Sequence, residues 1–284
     1  MYRLEETEIC IKMRAVELKS EMVQRLSQED KVMGIGQTGS IDAVLVPGKS
    51  DIDLFVLCSE IPSRNERETW YSELEKADYT LQMEVCRGGV WGTGDILVVD
   101  GIDVMPMYFT VLEMNDHLEE ILACKHLEKD GCFYPSGRLS SVSTITVLHE
   151  KENTWTKLKE RVNQKPDLFF REWFLSEINQ VIDEEDLGRS ELRKEVLFYH
   201  QVLENALDHL LQALFAMNHC YFPSRKRTVS AIDSFRYKPE NCCTRLHDMI
   251  TWGASENTIA KSVMELRNMT REVIELGIDF GYKG

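Results

Sequence analysis

No apolar run in this 284-residue chain approaches the roughly 18 residues that a membrane-spanning helix requires. The opening Met-Tyr-Arg-Leu-Glu-Glu-Thr-Glu is too charged for a signal peptide, so a cytoplasmic location is expected, with no membrane partner. Eight cysteines occur, none spaced C-x-x-C, and without a secretory signal they read as reduced thiols, several of them buried. There are no low-complexity tracts, no internal repeats and no H-E-x-x-H. Positive charge is also short: 33 Lys and Arg stand against 48 Asp and Glu, a net charge of -15. Nucleic-acid binding depends on Lys and Arg neutralising phosphates, so DNA and RNA are disfavoured as partners. An acidic surface would instead steer a small cationic ligand toward the protein.

What the chain does have is concentrated between residues 34 and 54. Gly34-Ile-Gly36-Gln-Thr-Gly39-Ser40 offers three glycines that let backbone N–H groups approach an anion, and Ser40 adds a hydroxyl donor. The run satisfies G-x-G-x-x-G, but a dinucleotide-binding turn needs a following helix, and Pro47-Gly48-Lys49-Ser50 breaks the chain first. Asp51-Ile-Asp53-Leu-Phe-Val-Leu-Cys then reads as a strand, which points Asp51 and Asp53 to the same face. At about 3.3 Å per residue their Cα atoms lie roughly 6–7 Å apart, a spacing at which converging carboxylates hold divalent cations. Hard oxygen donors of this kind favour Mg2+ or Mn2+. A glycine turn followed by two turn-associated aspartates is the plain structural alternative.

Gly39-Ser40 and Asp51-Ile52-Asp53-Leu54 resemble the signature of the DNA polymerase beta-like nucleotidyltransferase superfamily: Gly, then Gly or Ser, about ten residues, then two acids flanking an apolar residue. In wording, the stretch looks closest to bacterial small-molecule nucleotidyltransferases, the group that modifies aminoglycosides and lincosamides. The strong match covers about 25 residues, and the rest of the chain agrees in layout. The resemblance implies an α/β (α+β) nucleotidyltransferase core with a mixed sheet, followed by an all-α helical-bundle domain. It also implies an NTP substrate, ATP or another NTP, gripped by Gly39 and Ser40, with its metal ions on Asp51 and Asp53. Related enzymes often place the site between subunits, which leaves a homodimer open.

The family carries a third carboxylate on a later strand. Ile96-Leu-Val-Val-Asp100-Gly101-Ile-Asp103-Val-Met sets Asp-Gly between two apolar runs, a strong hairpin signal that puts Asp103 in the second strand. Asp103 is the candidate; an edge-strand aspartate facing solvent is the alternative.

Elsewhere the periodicity predicts helices over 4–28 and 64–77, a strand over 80–87, and a boundary near the turn-like Tyr134-Pro-Ser-Gly137. The expected domains are residues 1–145, catalytic, and 146–284, helical. Helices are expected over 151–163, 168–184, 190–218, 241–252 and 255–275. In the 190–218 helix Leu203, Ala206, Leu207, Leu210 and Leu214 form the apolar centre, and Leu197, Leu211 and Phe215 extend it. Glu204 falls within that extension and Asp208 near its edge. A carboxylate in an apolar stripe has a raised pKa, which suits a base taking a proton from an acceptor hydroxyl, whereas an acid paired with Arg or Lys is the structural alternative. Arg225-Lys226-Arg227 follows the helix; Lys226 is the candidate to neutralise a triphosphate, although cations there also satisfy the helix dipole. Arg193 and His200 match a loose spacing seen in helical RNases, and an ordinary surface role suits them as well.

The expected reaction is transfer of a nucleoside monophosphate from an NTP to a hydroxyl of a small acceptor, cationic if the surface charge selects it, with Asp51, Asp53 and Asp103 holding Mg2+ or Mn2+ and Asp103 or Glu204 taking the proton. AMP transfer onto a protein, as by antitoxin-like enzymes, and a non-catalytic nucleotide-binding or interaction module are the alternatives.

Overall fold

The structure, a computed structural model, describes residues 2–39, 41, 44–74 and 78–282, with side chains from Arg14 onward. It divides into two compact units, one of residues 1–120 with 141–164 and the other of 121–140 with 165–284. The boundary expected at 145 therefore falls inside the first unit, and residues 146–150, expected within the helical part, form a strand of the sheet.

The first unit is built on six strands: β1 (Val32–Gln37), β2 (Asp51–Cys58), β3 (Thr80–Arg87), β4 (Thr93–Val99), β5 (Ile102–Thr110) and β6 (Thr146–Glu150). Their order is β3-β4-β5-β2-β1-β6, and only β2 and β5 run parallel. The sheet is thus mixed, as the resemblance implies. Among the described residues five α-helices accompany it: α1 (Tyr2–Leu26), α2 (Arg64–Ser72), α3 (Val111–Leu122) and α4 (Pro135–Thr144), these last two running out of the unit, and α5 (Thr154–Asn163). Tyr134-Pro-Ser-Gly137 is correspondingly the start of a helix. Pro135 takes the first helical position, where its missing N–H costs nothing.

Alternation along β2 and β5 assigns the two faces. Ile52, Leu54, Val56 and Cys58 join Ile102, Val104 and Tyr108 in one core with Ala15, Leu18, Met22 and Leu26 of α1 and Trp70 and Tyr71 of α2. The α1 set recurs every three or four residues, the stripe of an amphipathic helix. Within this layer Arg67 and Asp95 are almost completely buried and bond at 2.8 Å, and the Tyr71 hydroxyl donates to the same carboxylate at 2.8 Å. The Glu84 N–H donates to Asp95 at 2.8 Å and the Tyr71 and Tyr108 hydroxyls meet at 2.7 Å, so the charges are fully partnered, as burial demands.

On the opposite face, Phe55 stacks on Trp155 of α5 at 6.4 Å and meets Phe109 edge-on at 5.4 Å. Gly34 and Gly36 lie in β1 opposite Leu57 and Phe55. A Cβ on Gly34 would sit 2.7 Å from Trp155 Cδ1, and one on Gly36 would sit 2.4 Å from Ile145 Cδ1. Two of the three glycines expected to cradle an anion are therefore strand residues whose missing side chains make room for α5 and Ile145.

The second unit contains α6 (Asp167–Ile178), α7 (Glu184–Arg193), α8 (Val196–Met217), α9 (Thr228–Asp233), α10 (Cys242–Gly253) and α11 (Ile259–Phe280). The single helix expected over 190–218 is two, because Lys194 adopts a left-handed conformation (φ 56°) and ends α7. α8 is the central helix, contacting α6, α7, α10 and α11, and its last turns are buried all round. Among the described residues no helix is long and apolar enough to cross a membrane, and the seven described cysteines are free thiols.

Gly34→Ala should lower stability by about 1–3 kcal/mol through overpacking against the Trp155 ring. The check is a urea melt with an unchanged slope and an earlier midpoint; a wild-type midpoint would show that the glycine is not needed for this packing.

Candidate functional site

β2 opens with Asp51, and its parallel register pairs Asp51 with Asp103 and Asp53 with Met105. Residues in register on neighbouring strands project to the same face, so Asp51, Asp53 and Asp103 share one. The spacing is about 4.8 Å across the strands and roughly 6–7 Å along β2. Asp51 is exposed and Asp53 and Asp103 are half-buried, while Ile52 and Val104 between them are buried. The same face of β2 continues into Phe55 and Leu57, which are covered. The carboxylates therefore occupy the end of that face where the apolar cover stops.

Asp103 stands on β5, an interior strand flanked by β4 and β2, so the solvent-facing edge position weighed from the sequence does not apply. The hairpin before it is the one expected. Val99 pairs with Ile102, and Asp100 and Gly101 both have positive φ (49° and 77°), the requirement of a type I′ turn. Arg14 of α1 holds the Asp100 carboxylate with two hydrogen bonds of 3.0 and 2.9 Å from one nitrogen.

The entry to β2 is fixed against that hairpin. The Val46 carbonyl accepts from the N–H groups of Lys49 and Ser50, both at 3.0 Å, and the Ser50 hydroxyl accepts from the Val46 N–H at 2.8 Å. The Gly48 N–H donates to the Gly101 carbonyl at 2.7 Å. One turn thus rests on the other, with Asp51 three residues after Gly48 and Asp103 two residues after Gly101.

At the end of β1, Lys19 donates to the buried Gln37 side chain at 3.1 Å, and the Thr38 N–H donates to the Asp53 carbonyl at 3.1 Å. Burial draws the Lys19 ammonium below its ordinary pKa. Gly39 follows in a bend with φ 76° and open space around its missing Cβ, so an L side chain there is strained by backbone conformation alone. Ser40, the other half of the expected phosphate grip, lies outside the described residues.

Three carboxylates on one face are a donor set whose chemistry suits a hard divalent cation. Among the described residues, however, no three His, Cys, Asp or Glu side chains are gathered closely enough to form a cage. The strands bring the carboxylates to the same place, and the side chains are not converged there.

In the second unit the structure reverses the roles expected of two acids. Leu197 is 87% exposed, so the apolar arc does not extend to that side of α8. Glu204 is exposed rather than set in an apolar stripe, and Arg225 pairs with it at 3.5 Å. The burial that would suit Glu204 to a base's role is absent. Asp208, one helical turn on, is the buried acid. It accepts from Lys129, from the Tyr134 hydroxyl at 2.6 Å and from Arg225 Nε at 2.7 Å. Burial alone would raise its pKa, but the hydrogen bonds from Lys129 and Tyr134 and the charge of Arg225 outweigh it and hold the carboxyl below the ordinary range. The paired-acid alternative thus describes Asp208. Arg225 also donates to the Glu204 carbonyl at 2.7 Å, whereas its neighbour Lys226 is exposed. Sequence spacing could not distinguish these adjacent cations.

Residues 133–227 match a family model described as a domain of unknown function (DUF4037), a stretch that takes in β6 and α5 of the first unit and α6, α7 and α8 of the second. A search of curated proteins gives no match. Among solved structures the chain is similar to a nucleotidyltransferase-like protein from Exiguobacterium sibiricum 255-15, with 12% identity and a TM-score of 0.43 over 90% of this chain and 74% of that one.

Asp208→Asn should cost about 2 kcal/mol at neutral pH, discounted for the partial exposure of Lys129 and Arg225. Because the folded pKa is depressed, this contribution is fully present above the unfolded carboxylate value and is lost as pH falls through the folded one. Urea melts should therefore show a constant gap between wild type and variant down to about pH 5 that narrows below about pH 4. A gap unchanged into that acid range would rule out the ion pairs as its source.

Proposed function

We propose that the first unit is a nucleotidyltransferase centre of the polymerase beta-like superfamily, which transfers a nucleoside monophosphate, AMP in the simplest case, from an NTP to a hydroxyl of a small molecule. The observation that carries the reading is the register of β2 against β5, which sets Asp51 beside Asp103 with Asp53 next along the same face. Gly39, bent at the end of β1, supports it as the approach point for a phosphate, with Ser40 following in sequence.

In this reading Gly39 and Ser40 bind the β and γ phosphates. Asp51, Asp53 and Asp103 are the residues that would hold Mg2+ or Mn2+, which when bound supplies neutralising charge for the triphosphate and for the departing pyrophosphate. Asp103, the half-buried member on the second strand, accepts the proton of the acceptor hydroxyl. That oxygen forms a new bond to the α phosphorus as the bond from the α phosphorus to the bridging oxygen breaks, and the electron pair leaves with pyrophosphate. A site whose own groups are acidic repels an unneutralised triphosphate, so the same reading requires a divalent cation for NTP binding.

The test is pyrophosphate release from each of the four NTPs with Mg2+, against aminoglycosides, lincosamides and simple hydroxyl metabolites. Asp51→Asn and Asp53→Asn should each lower turnover by at least about a hundredfold, and EDTA should abolish it until Mg2+ or Mn2+ is restored. Wild-type turnover in either variant would refute the assignment. NTP binding without release against any small acceptor would redirect it toward a protein acceptor or a binding role.

A further inference from the structure

The second unit contains a chemically organised cleft that the transfer reaction does not use. Its volume is about 350 Å³, within the range of small-molecule sites, and its lining includes Ser176, Glu177 and Gln180 at the end of α6 and Asn205, His209 and Gln212 along α8. Gln180, Asn205 and His209 also line an adjoining cleft of about 540 Å³, so these three side chains stand where the two meet.

Glu177 organises the site. It is 3% exposed, and one carboxylate oxygen receives His209 Nδ1 at 2.7 Å and Gln212 Nε2 at 3.4 Å. An ionised carboxylate only accepts, so Nδ1 donates to it and Nε2, on the other side of the ring, is the atom left to meet a ligand. The imidazole is half-buried and lines the cleft. Its orientation is thereby set before any ligand arrives, the arrangement by which a buried acid selects one tautomer and one ring position.

The charge of the lining narrows the ligand. Lys129 and Asp208 both face the cleft and pair with one another, and Asp208 is held further by Arg225 and Tyr134. Glu177 is committed to His209 and Gln212. Glu128 is exposed. What the rest of the lining offers is chiefly uncharged: the hydroxyl of Ser176 and the amides of Gln180 and Asn205 at the exposed rim, the buried Gln212 amide and the half-buried imidazole. Amides and hydroxyls supply donors and acceptors in mixed directions, which matches a ligand carrying several hydroxyls better than an anion or a bare ammonium.

From this geometry we infer that the helical unit carries a binding site for an uncharged, hydroxyl-rich small molecule, with His209 Nε2 accepting a hydrogen bond from a ligand hydroxyl and Glu177 positioning the ring. Binding here does not require nucleotidyl transfer in the first unit, and loss of either leaves the other measurable.

The experiment is ligand-observed NMR on the full chain with hexoses, inositols and pentitols up to about 10 mM, with putrescine and inorganic phosphate as charged controls. At least one polyol should bind, and its addition should shift the Nε2 resonance of an Nδ1-protonated His209 in long-range proton–nitrogen spectra. His209→Asn keeps a donor for Glu177 and deletes the Nε2 acceptor; it should weaken polyol binding roughly tenfold while the unfolding midpoint moves by no more than about 2 °C. Asn205→Leu, on the same lining, should weaken it as well. Absence of binding by every polyol, binding unaffected by His209→Asn, or tighter binding of putrescine or phosphate than of any polyol would each overturn the site. Asp51→Asn should leave polyol binding unchanged, so failed transfer and failed binding are read separately.

Discussion

The parallel pairing of β2 with β5 is the constraint on which the candidate centre depends. Every other neighbouring pair in the sheet is antiparallel, and this one alone sets Asp51 and Asp103 side by side. A slip of one residue would turn Asp103 into the core and Val104 out of it, because side chains alternate with a period of two. The register is held from two directions. Ile52, Leu54 and Val104 are buried against the helices of one face, and the Gly48 N–H joins the turn before β2 to the hairpin turn before Asp103.

The opposite face shows how one strand serves packing and chemistry in sequence. Along β2 the residues on this side run from Asp51 and Asp53 to Phe55 and Leu57, from water into a closed aromatic layer. Trp155 closes the far end, and Gly34 and Gly36 allow it to approach. Their place in the strand explains why a glycine motif that suggests an anion loop delivers only its last member, Gly39, to the loop itself. Packing in the strand and a phosphate-binding bend require the same residue for different reasons, one for space and the other for backbone angle.

The helical unit illustrates the cost of burying charge. Asp208 is surrounded by Lys129, Tyr134 and Arg225, and Glu177 by His209 and Gln212, so each buried carboxylate has several donors. These partners come from segments far apart in the sequence: Lys129 and Tyr134 precede Asp208 by more than seventy residues. Helical periodicity places Glu204 and Asp208 on neighbouring parts of α8, and only the position of the surrounding segments decides which of them is buried.

The sequence alone determined the local elements of the centre. The paired aspartates on a strand, the Asp-Gly hairpin and the strand over 80–87 are encoded by alternation and turn chemistry acting over a few residues. Tertiary structure decided what depends on distant neighbours. It made β5 an interior strand, drew β6 and α5 into the sheet unit, divided the 190–218 helix at Lys194 and buried Asp208 in place of Glu204. It also joined Glu177 to His209 across two helices. Local propensity fixes which way a side chain points from its own backbone, but the exposure and partners that give it chemical character depend on what packs there from elsewhere in the chain.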